Sequence, residues 1–453
     1  MINNRYMEEL GKLVVVGQGY VGLPLSMRAV AVGWRVVGVD VDEGRVKRLA
    51  AGQSYVDDVT DDDLRAALAT GRYQPVAEYG PAEGFDVAVV TVPTPLAEGA
   101  PDLSYIANAG RSLARLVRPG ATVVLESTTY PGTTDELFGP LLEAGSGLVV
   151  GRDFRLGYSP ERIDPGNQTW NLENTPKVVS GVDEASLVAV RAFFDTIVTQ
   201  TVPVSSTRTA ELTKLLENTF RHVNIALVNE LAMVAGQLGV DVWEAIEAAS
   251  TKPYGFMRFT PGPGVGGHCL PIDPSYLSWR VRRSLGRNFR FVELANDIND
   301  HMPDHVVVRA TEMLNQSGLP VLGSRILLLG LAYKKNSGDA RESPAIRIAS
   351  LLAARGADVR AADPHVDPAL VPATVRLVAL DETELAAADL VVILVDHDRF
   401  PRELVAAHAR AVLDTRRWLP ATPRIPAQRS AQVTERLDPT AGPPAGPRLV
   451  ESL

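Results

Sequence analysis

Short apolar runs alternate with helical stretches along most of the chain. Lys12–Val16, Arg35–Val39, Asp86–Val92, Thr122–Glu126 and Phe154–Tyr158 are rich in valine and other apolar residues. Runs of this kind suit parallel strands buried on both faces. Leu23–Val32 and Glu43–Ala51 read as helices between the first strands. A second series opens at Arg325–Leu331 and continues at Asp358–Ala362, Leu390–Asp396 and Ala411–Asp414, with a helix at Ala345–Arg355. Between the two series lies Ala210–Leu238, which has no proline and would span about 43 Å as a helix at 1.5 Å per residue. Its apolar residues cover most of its circumference, which predicts burial on several sides. Helices are also predicted at Asp241–Ala249 and Ser275–Leu285. From Pro420 the chain is rich in Pro, Ala and Arg without apolar periodicity, which predicts a disordered tail.

The expected fold is α/β: two Rossmann-like doubly wound domains joined by a long central helix. The expected domains are 1–205, a helical region 206–317, a second sheet domain 318–419 and the tail 420–453. A length of 453 residues with 45% hydrophobic and 22% charged residues is that of a multidomain globular protein. The net charge of −9 argues against nucleic acid or an anionic membrane as the main partner. A single cysteine cannot form an internal disulfide, and the first residues, MINNRYMEELGK, lack the apolar core of a secretion signal. No run of about eighteen apolar residues occurs. A cytoplasmic location is expected.

The first strand flows into Gly17-Gln18-Gly19-Tyr20-Val21-Gly22 and then into a helix. This is G-x-G-x-x-G in its dinucleotide-binding setting: Gly17 for the turn, Gly19 for close approach of a pyrophosphate, Gly22 for helix–strand packing. Asp40 closes the second strand about twenty residues on, where an acid accepts from ribose hydroxyls. That favours NAD over NADP, although Arg45 nearby could hold a 2′-phosphate. Asp40 or Asp42 could instead cap the following helix. Two further strands end in loops carrying Thr94 and Thr128, which should point to the same cleft, unless they are ordinary turns. Glu161 and Arg162 form an acid–base pair beyond another strand.

The only cysteine, Cys269, sits among Gly262, Gly264, Gly266, Gly267, Pro271 and Pro274. Glycines let backbone approach a ligand, and a lone thiol there is either a nucleophile or a buried, inert residue. Lys214, Asn218 and Arg221 share one face of the long helix at i, i+4 and i+7. Burying a lysine is costly without a partner, so this stripe faces a ligand, another chain or water. Asp273 precedes Pro274 and reads as a helix N-cap, a role compatible with catalysis. Lys334, Lys335 and Arg341 lie in one loop after a strand, where they suit a diphosphate or a solvated surface.

The motifs GQGYVGLPL, VPTPL, ESTTYPGTTD, SPERIDPG, KLLENTFRHVNIALVNE, GPGVGGHCLPIDP and GLAYKKNSGDARESP occur in that order. Together they resemble the nucleotide-sugar dehydrogenases of the UDP-glucose and GDP-mannose dehydrogenase type, from about Lys12 to Trp418. SPER, ENTFR and HCLPIDP resemble the branch that oxidises UDP-N-acetylhexosamines, UDP-N-acetylglucosamine above all; UDP-N-acetylmannosamine and UDP-glucose are the alternatives. The resemblance implies a homodimer or higher oligomer built on the long helix, and oxidation of the sugar C6 alcohol to a carboxylate with two NAD⁺ and no metal. It implies Cys269 as nucleophile, Lys214 as its electrostatic or acid–base partner and Asn218 at the oxyanion. Asp273 would orient Lys214 or water, and Thr128 and Glu161 would hold water or sugar near C6. Arg162, Arg221, Gly264, Gly266, Lys334, Lys335 and Arg416 would bind the nucleotide sugar, and Arg258 or Lys252 would reach a neighbouring subunit's substrate. A two-electron hydroxyacid dehydrogenase would need neither Cys269 nor the second sheet. A non-catalytic nucleotide-sugar sensor would have lost Lys214, Asn218, Cys269 or Asp273.

Overall fold

The valine-rich runs become strands because both faces of each are covered. The computed structural model describes residues 10–56, 58–97, 99–164, 167, 169–267, 270, 272–420 and 449–452. They divide into two compact units, one reaching to Thr219 and including Ile272–Phe289, the other starting at Phe220 and resuming at Arg290. The division falls within the helix Thr207–Ala235.

Unit 1 contains β1 (Lys12–Val16), β2 (Arg35–Val39), β3 (Tyr73–Val76), β4 (Val87–Val90), the short β5 (Leu96–Ala97) and β6 (Ala100–Pro101), β7 (Thr122–Leu125), β8 (Arg155–Tyr158), β9 (Lys177–Gly181) and β10 (Thr201–Pro203). Among the described residues, eight of these form one sheet in the order β10-β9-β8-β7-β4-β1-β2-β3. Its pairs are parallel except β8 with β9. Leu13 and Val15 pack with Leu23, Ala29 and Phe194 on one face. Val14 and Val16 pack with Ile106, Leu113 and Phe138 on the other. Each fully buried side chain of this size contributes roughly 1.5–3 kcal/mol. The strand order reverses between β1 and β4, so the carboxyl ends of these strands mark the ligand cleft of a doubly wound sheet.

Unit 2 repeats the pattern with β11 (Arg325–Leu329), β12 (Asp358–Ala362), β13 (Arg376–Leu377), β14 (Leu390–Ile393), β15 (Ala411–Asp414) and β16 (Leu449–Ser452). Among the described residues its sheet runs β13-β12-β11-β14-β15-β16, with every pair parallel. The last strand corrects the expectation of a disordered tail from 420. Residues 421–448 lie outside the described residues, but Leu449–Ser452 pairs along β15 from Ala411 to Asp414. The run is short, so composition averaged over the tail hides it. Val450 packs on the core around Leu327 and Val412, and Glu451 pairs with Arg309.

Several boundaries differ from the pattern. The long helix is Thr207–Ala235, one turn earlier than expected, because Ser206 Oγ accepts from the Thr209 N–H and Gly239 turns the chain at φ +71°. A second long helix, Arg290–Gln316, runs through Pro303, a residue that normally interrupts a helical pattern. β4 stops at Val90 because Thr91 Oγ1 turns back to the carbonyls of Val16 and Gly17. No described helix is long and apolar enough to cross a membrane.

Removing residues 449–453 is expected to lower the thermal unfolding temperature by about 2–8 °C, the shift produced by roughly 1–2 kcal/mol in a domain of this size. An unchanged unfolding temperature in calorimetry would mean that β16 adds nothing to the sheet.

Candidate active site

β1 delivers the chain to the glycine loop. Gly17 has φ +94°, and a Cβ there would lie 2.7 Å from the Thr91 carbonyl oxygen. At Gly22 it would lie 1.8 Å from the Gly17 carbonyl oxygen, so neither position admits a side chain. At Gly19 a Cβ would meet nothing within 4 Å. The space above Gly19 is therefore open, as close approach of a pyrophosphate requires. Tyr20 is exposed and Val21 is the residue before the helix Gly22–Val32. Asp40 is buried and accepts from the N–H groups of Gln18 (2.9 Å) and Asp42 (3.0 Å). The capping role belongs to Asp42, which accepts from Gly44 and Arg45. Arg45 lies 3.6 Å from Asp40, so its charge is already met by the carboxylate.

Thr94 and Thr128 are half-buried on the loops after β4 and β7. The second loop is fastened by Glu211, which accepts from the N–H groups of Gly132 (2.6 Å) and Thr134 (2.9 Å) and from Thr134 Oγ1 (2.7 Å). Burial pushes the Glu211 carboxyl up to about 7, against the pull of these bonds toward the ionised form.

Lys214 is only 7% exposed, and its Nζ donates to the Glu161 carbonyl oxygen at 2.6 Å. One turn on, Asn218 Nδ2 donates to Asp273 Oδ2 at 2.6 Å. Burial pushes the Asp273 carboxyl up to about 6, while Lys214 and the Asn218 bond pull it down. Asp273 does not cap its helix, which begins at Asp273 itself after Ile272 with no side-chain cap. Its carboxylate is turned toward Asn218 instead. The expected polar stripe divides by burial: Lys214 is buried, Asn218 half-buried and Arg221 exposed.

Glu161 and Arg162 do not pair with each other. Arg162 donates to Glu217 and to the Pro176 carbonyl, both at 2.6 Å. Glu161 approaches Lys177 at 3.8 Å, and Lys177 also bonds Glu126 and the Pro160 carbonyl. Neighbouring side chains of an extended segment point opposite ways, which separates the two. Glu126, Lys177 and Glu211 were not legible as site residues. Glu126 reads only as the last residue of a strand, Lys177 opens β9, a strand the pattern does not predict, and only the fold brings them together.

In unit 2 the glycine loop packs on protein. A Cβ at Gly264 would lie 3.1 Å from Pro344, at Gly266 2.7 Å from the Glu342 carbonyl oxygen, and at Gly267 2.8 Å from the Tyr333 ring. These glycines thus admit a neighbouring loop, where ligand approach was expected. The Gly262 N–H donates to Asn229 (2.9 Å), and a Cβ there would meet Arg416 at 2.7 Å. Arg416 Nε donates to the Leu394 carbonyl at 2.8 Å, and burial pushes its guanidinium down. Lys334 lies over the Tyr333 ring, Lys335 pairs with Asp398 at 2.6 Å, and Arg341 pairs with Asp339. His397 supports this loop, accepting from the Asn336 N–H (3.0 Å) and lying 3.1 Å from Asp363. Arg258 is exposed and paired with Glu247, and Lys252 stacks on Tyr254. Cys269, with His268 and Pro271, lies outside the described residues.

Comparison with known proteins matches three family models along the chain: the NAD binding domain of the UDP-glucose/GDP-mannose dehydrogenase family over residues 11–226, its central domain over 208–301 and its UDP binding domain over 327–421. The chain is 35% identical to a UDP-N-acetyl-D-mannosamine dehydrogenase of Pyrococcus horikoshii, over 86% of this chain and 90% of that one. It is also 35% identical to a UDP-N-acetyl-D-glucosamine 6-dehydrogenase of Pseudomonas aeruginosa, over 86% and 91%. The solved structure of a UDP-D-ManNAc dehydrogenase from Pyrococcus horikoshii matches with a TM-score of 0.82 at 34% identity, covering 91% of this chain and 97% of that one. An open glycine loop with an acid after the second strand, a second sheet of the same order and this agreement along the chain lead to one conclusion: the protein belongs to the UDP-glucose/GDP-mannose dehydrogenase family and is an NAD-dependent nucleotide-sugar dehydrogenase.

Proposed function

We propose that the protein oxidises the C6 alcohol of a UDP-N-acetylhexosamine, UDP-N-acetylglucosamine above all, to the carboxylate. The observation that carries this reading is the buried Lys214 ammonium, tied to the Glu161 carbonyl in the unit that holds the open glycine loop. Bound NAD⁺ supplies the hydride acceptor, twice per sugar. The Gly17–Gly22 turn and the helix N-terminus hold its pyrophosphate, and Asp40 its ribose. Thr94 and Thr128 line the same cofactor cleft, and the pairing of Arg45 with Asp40 favours NAD over NADP.

Cys269 takes the C6 aldehyde as a thiohemiacetal, which keeps the intermediate from leaving. Loss of the second hydride gives a thioester, and water cleaves the C–S bond to release the acid and the thiol. Each tetrahedral stage places negative charge on oxygen. Lys214 has three N–H donors and spends one on Glu161, so two are left for that oxygen. Asn218 spends one amide hydrogen on Asp273, which fixes its orientation and leaves the other to donate. Asp273 is thus a positioning residue acting through Asn218. Thr128 and Glu161 hold water or sugar near C6. Arg162, Arg221, Lys334, Lys335 and Arg416 bind the nucleotide sugar. The chain acts in the cytoplasm.

The two 35%-identical relatives carry different substrate names, so UDP-N-acetylmannosamine is the second reading. Purified protein with NAD⁺ and a panel of UDP-sugars decides between them. Two NADH per sugar oxidised are expected, and Cys269→Ser should stop acid formation while leaving NAD binding intact. One NADH per sugar, or full turnover of the serine variant, would overturn the thioester route.

A homodimer or higher oligomer is part of the same reading. Leu212, Leu216, Phe220, Leu227, Leu231 and Val234 are exposed along the long helix, which favours a second copy as the cover. Arg258 or Lys252 then reaches the neighbouring subunit's substrate. In light scattering the wild type should have at least twice the chain mass, and a Leu227→Glu, Leu231→Glu variant that of one chain. A monomeric wild type would remove the proposal.

A further inference from the structure

Three charged groups meet where β7 and β8 end and β9 begins. Lys177 is 4% exposed, Glu126 1% and Glu161 8%. The Lys177 ammonium bonds Glu126 Oε1, donates to the Pro160 carbonyl at 3.0 Å and lies 3.8 Å from Glu161 Oε2. Two glutamates against one lysine leave one negative charge in excess in a buried place. The remaining oxygens sharpen the problem. Glu126 Oε2 and Glu161 Oε2 are both buried and have no hydrogen-bond partner among the described residues. An orphan buried acceptor is costly, and here there are two around one ammonium.

One proton resolves both defects. We propose that Glu126 is a neutral carboxylic acid whose Oε2–H donates to Glu161 Oε2, while its Oε1 accepts from Lys177. The cluster then balances: an ammonium, a carboxylate and an acid, with both orphan oxygens paired. This inference rests on the reading of Glu161 as a site residue and deepens it, because Glu126 becomes the positioning residue that holds Glu161. Glu161 in turn presents its carbonyl to Lys214. Tyr158 on β8 lies within electrostatic reach of both carboxyls and of Glu211 and Asp273, and Lys214 is bonded to the Glu161 carbonyl. In keeping with this arrangement, burial pushes the Glu126 carboxyl up to about 7; Lys177 pulls it down and Glu161 pushes it further up. Below that pH the proton is held. Above it the two carboxylates repel and Glu161 is released from its place.

Glu126→Gln mimics the neutral acid, since its amide donates to Glu161 and its carbonyl accepts from Lys177. Below about pH 7 its kcat should lie within about threefold of wild type, and the decline that wild type shows as pH rises through that value should vanish. Glu126→Leu offers neither bond and should lose about tenfold or more in kcat at every pH, with the KM for NAD⁺ unchanged. If the glutamine variant is inactive yet unfolds at the wild-type temperature, or keeps the same pH decline, the shared proton is refuted. A second measurement needs no turnover. The infrared spectrum of the chain at neutral pH should show a protonated-carboxyl band that shifts on labelling with 13C-glutamate and is lost in Glu126→Gln, which separates it from any band of Glu211. Its absence would overturn the proposal even if the sugar assignment stands, and its presence would survive a wrong sugar assignment.

Discussion

A buried lysine ammonium that is to serve a reaction has to be met by an acceptor that does not neutralise it. Lys214 is met by a backbone carbonyl, that of Glu161. A carbonyl fixes the ammonium without cancelling its charge, which is what the proposed role at an oxyanion requires. A carboxylate in that place would have formed an ion pair and spent the charge. The segment that offers the carbonyl must itself be held, and the buried Lys177 cluster holds the side chain of the same residue. Breaking a buried ion pair costs about 3–5 kcal/mol, so the loop from Ser159 to Arg162 is anchored far more firmly than a surface turn. Glu211 is likewise a buried carboxyl bound to backbone donors, and Asp273 is bound to the Asn218 amide with Lys214 close enough to pull its carboxyl down.

The two sheets share a strand order and treat the turn after the first strand differently. In unit 1 the turn keeps open space over Gly19, and Asp40 after the second strand takes the Gln18 N–H. In unit 2 Gly330 makes the first turn at φ +87°, but the N–H groups of Leu331 and Ala332 both bind Asp363. The donors that could have met a phosphate there are already used. Asp363 is held well below the usual carboxylate range: its hydrogen bonds from His397 and from backbone N–H groups outweigh the opposing effect of burial. The same topology thus gives one open dinucleotide-type cradle and one first turn closed by Asp363.

Much of the fold is legible in the chain. A buried parallel strand leaves a run of valines, and a glycine turn set between such a strand and a helix marks a cradle for phosphates. Lys214 stands out in the chain because a lysine on a mostly apolar helix is costly to bury, and Asn218 and Asp273 stand out as polar residues in helical settings. Their partners do not stand out. Adjacency in sequence suggests the Glu161–Arg162 pairing and the Asp273 cap, whereas Glu161 meets Lys177 beyond the next loop, and Arg162 and Asp273 meet Glu217 and Asn218, each 55 residues away. Long-range pairing leaves no local signal, and neither does Leu449–Ser452, four residues whose strand character exists only beside β15. The glycines before Cys269 suggest room for a ligand; Tyr333 and Glu342 fill that room.

The most direct test is the turnover of a Lys214→Met variant, which keeps the length and apolar stem of the side chain and removes the charge. NAD⁺ affinity and the unfolding temperature should stay close to wild type, while kcat for UDP-sugar oxidation falls by about 100-fold or more, the loss typical of an oxyanion donor. A variant that retains wild-type turnover to within about threefold would contradict a role for this buried ammonium in the transition state.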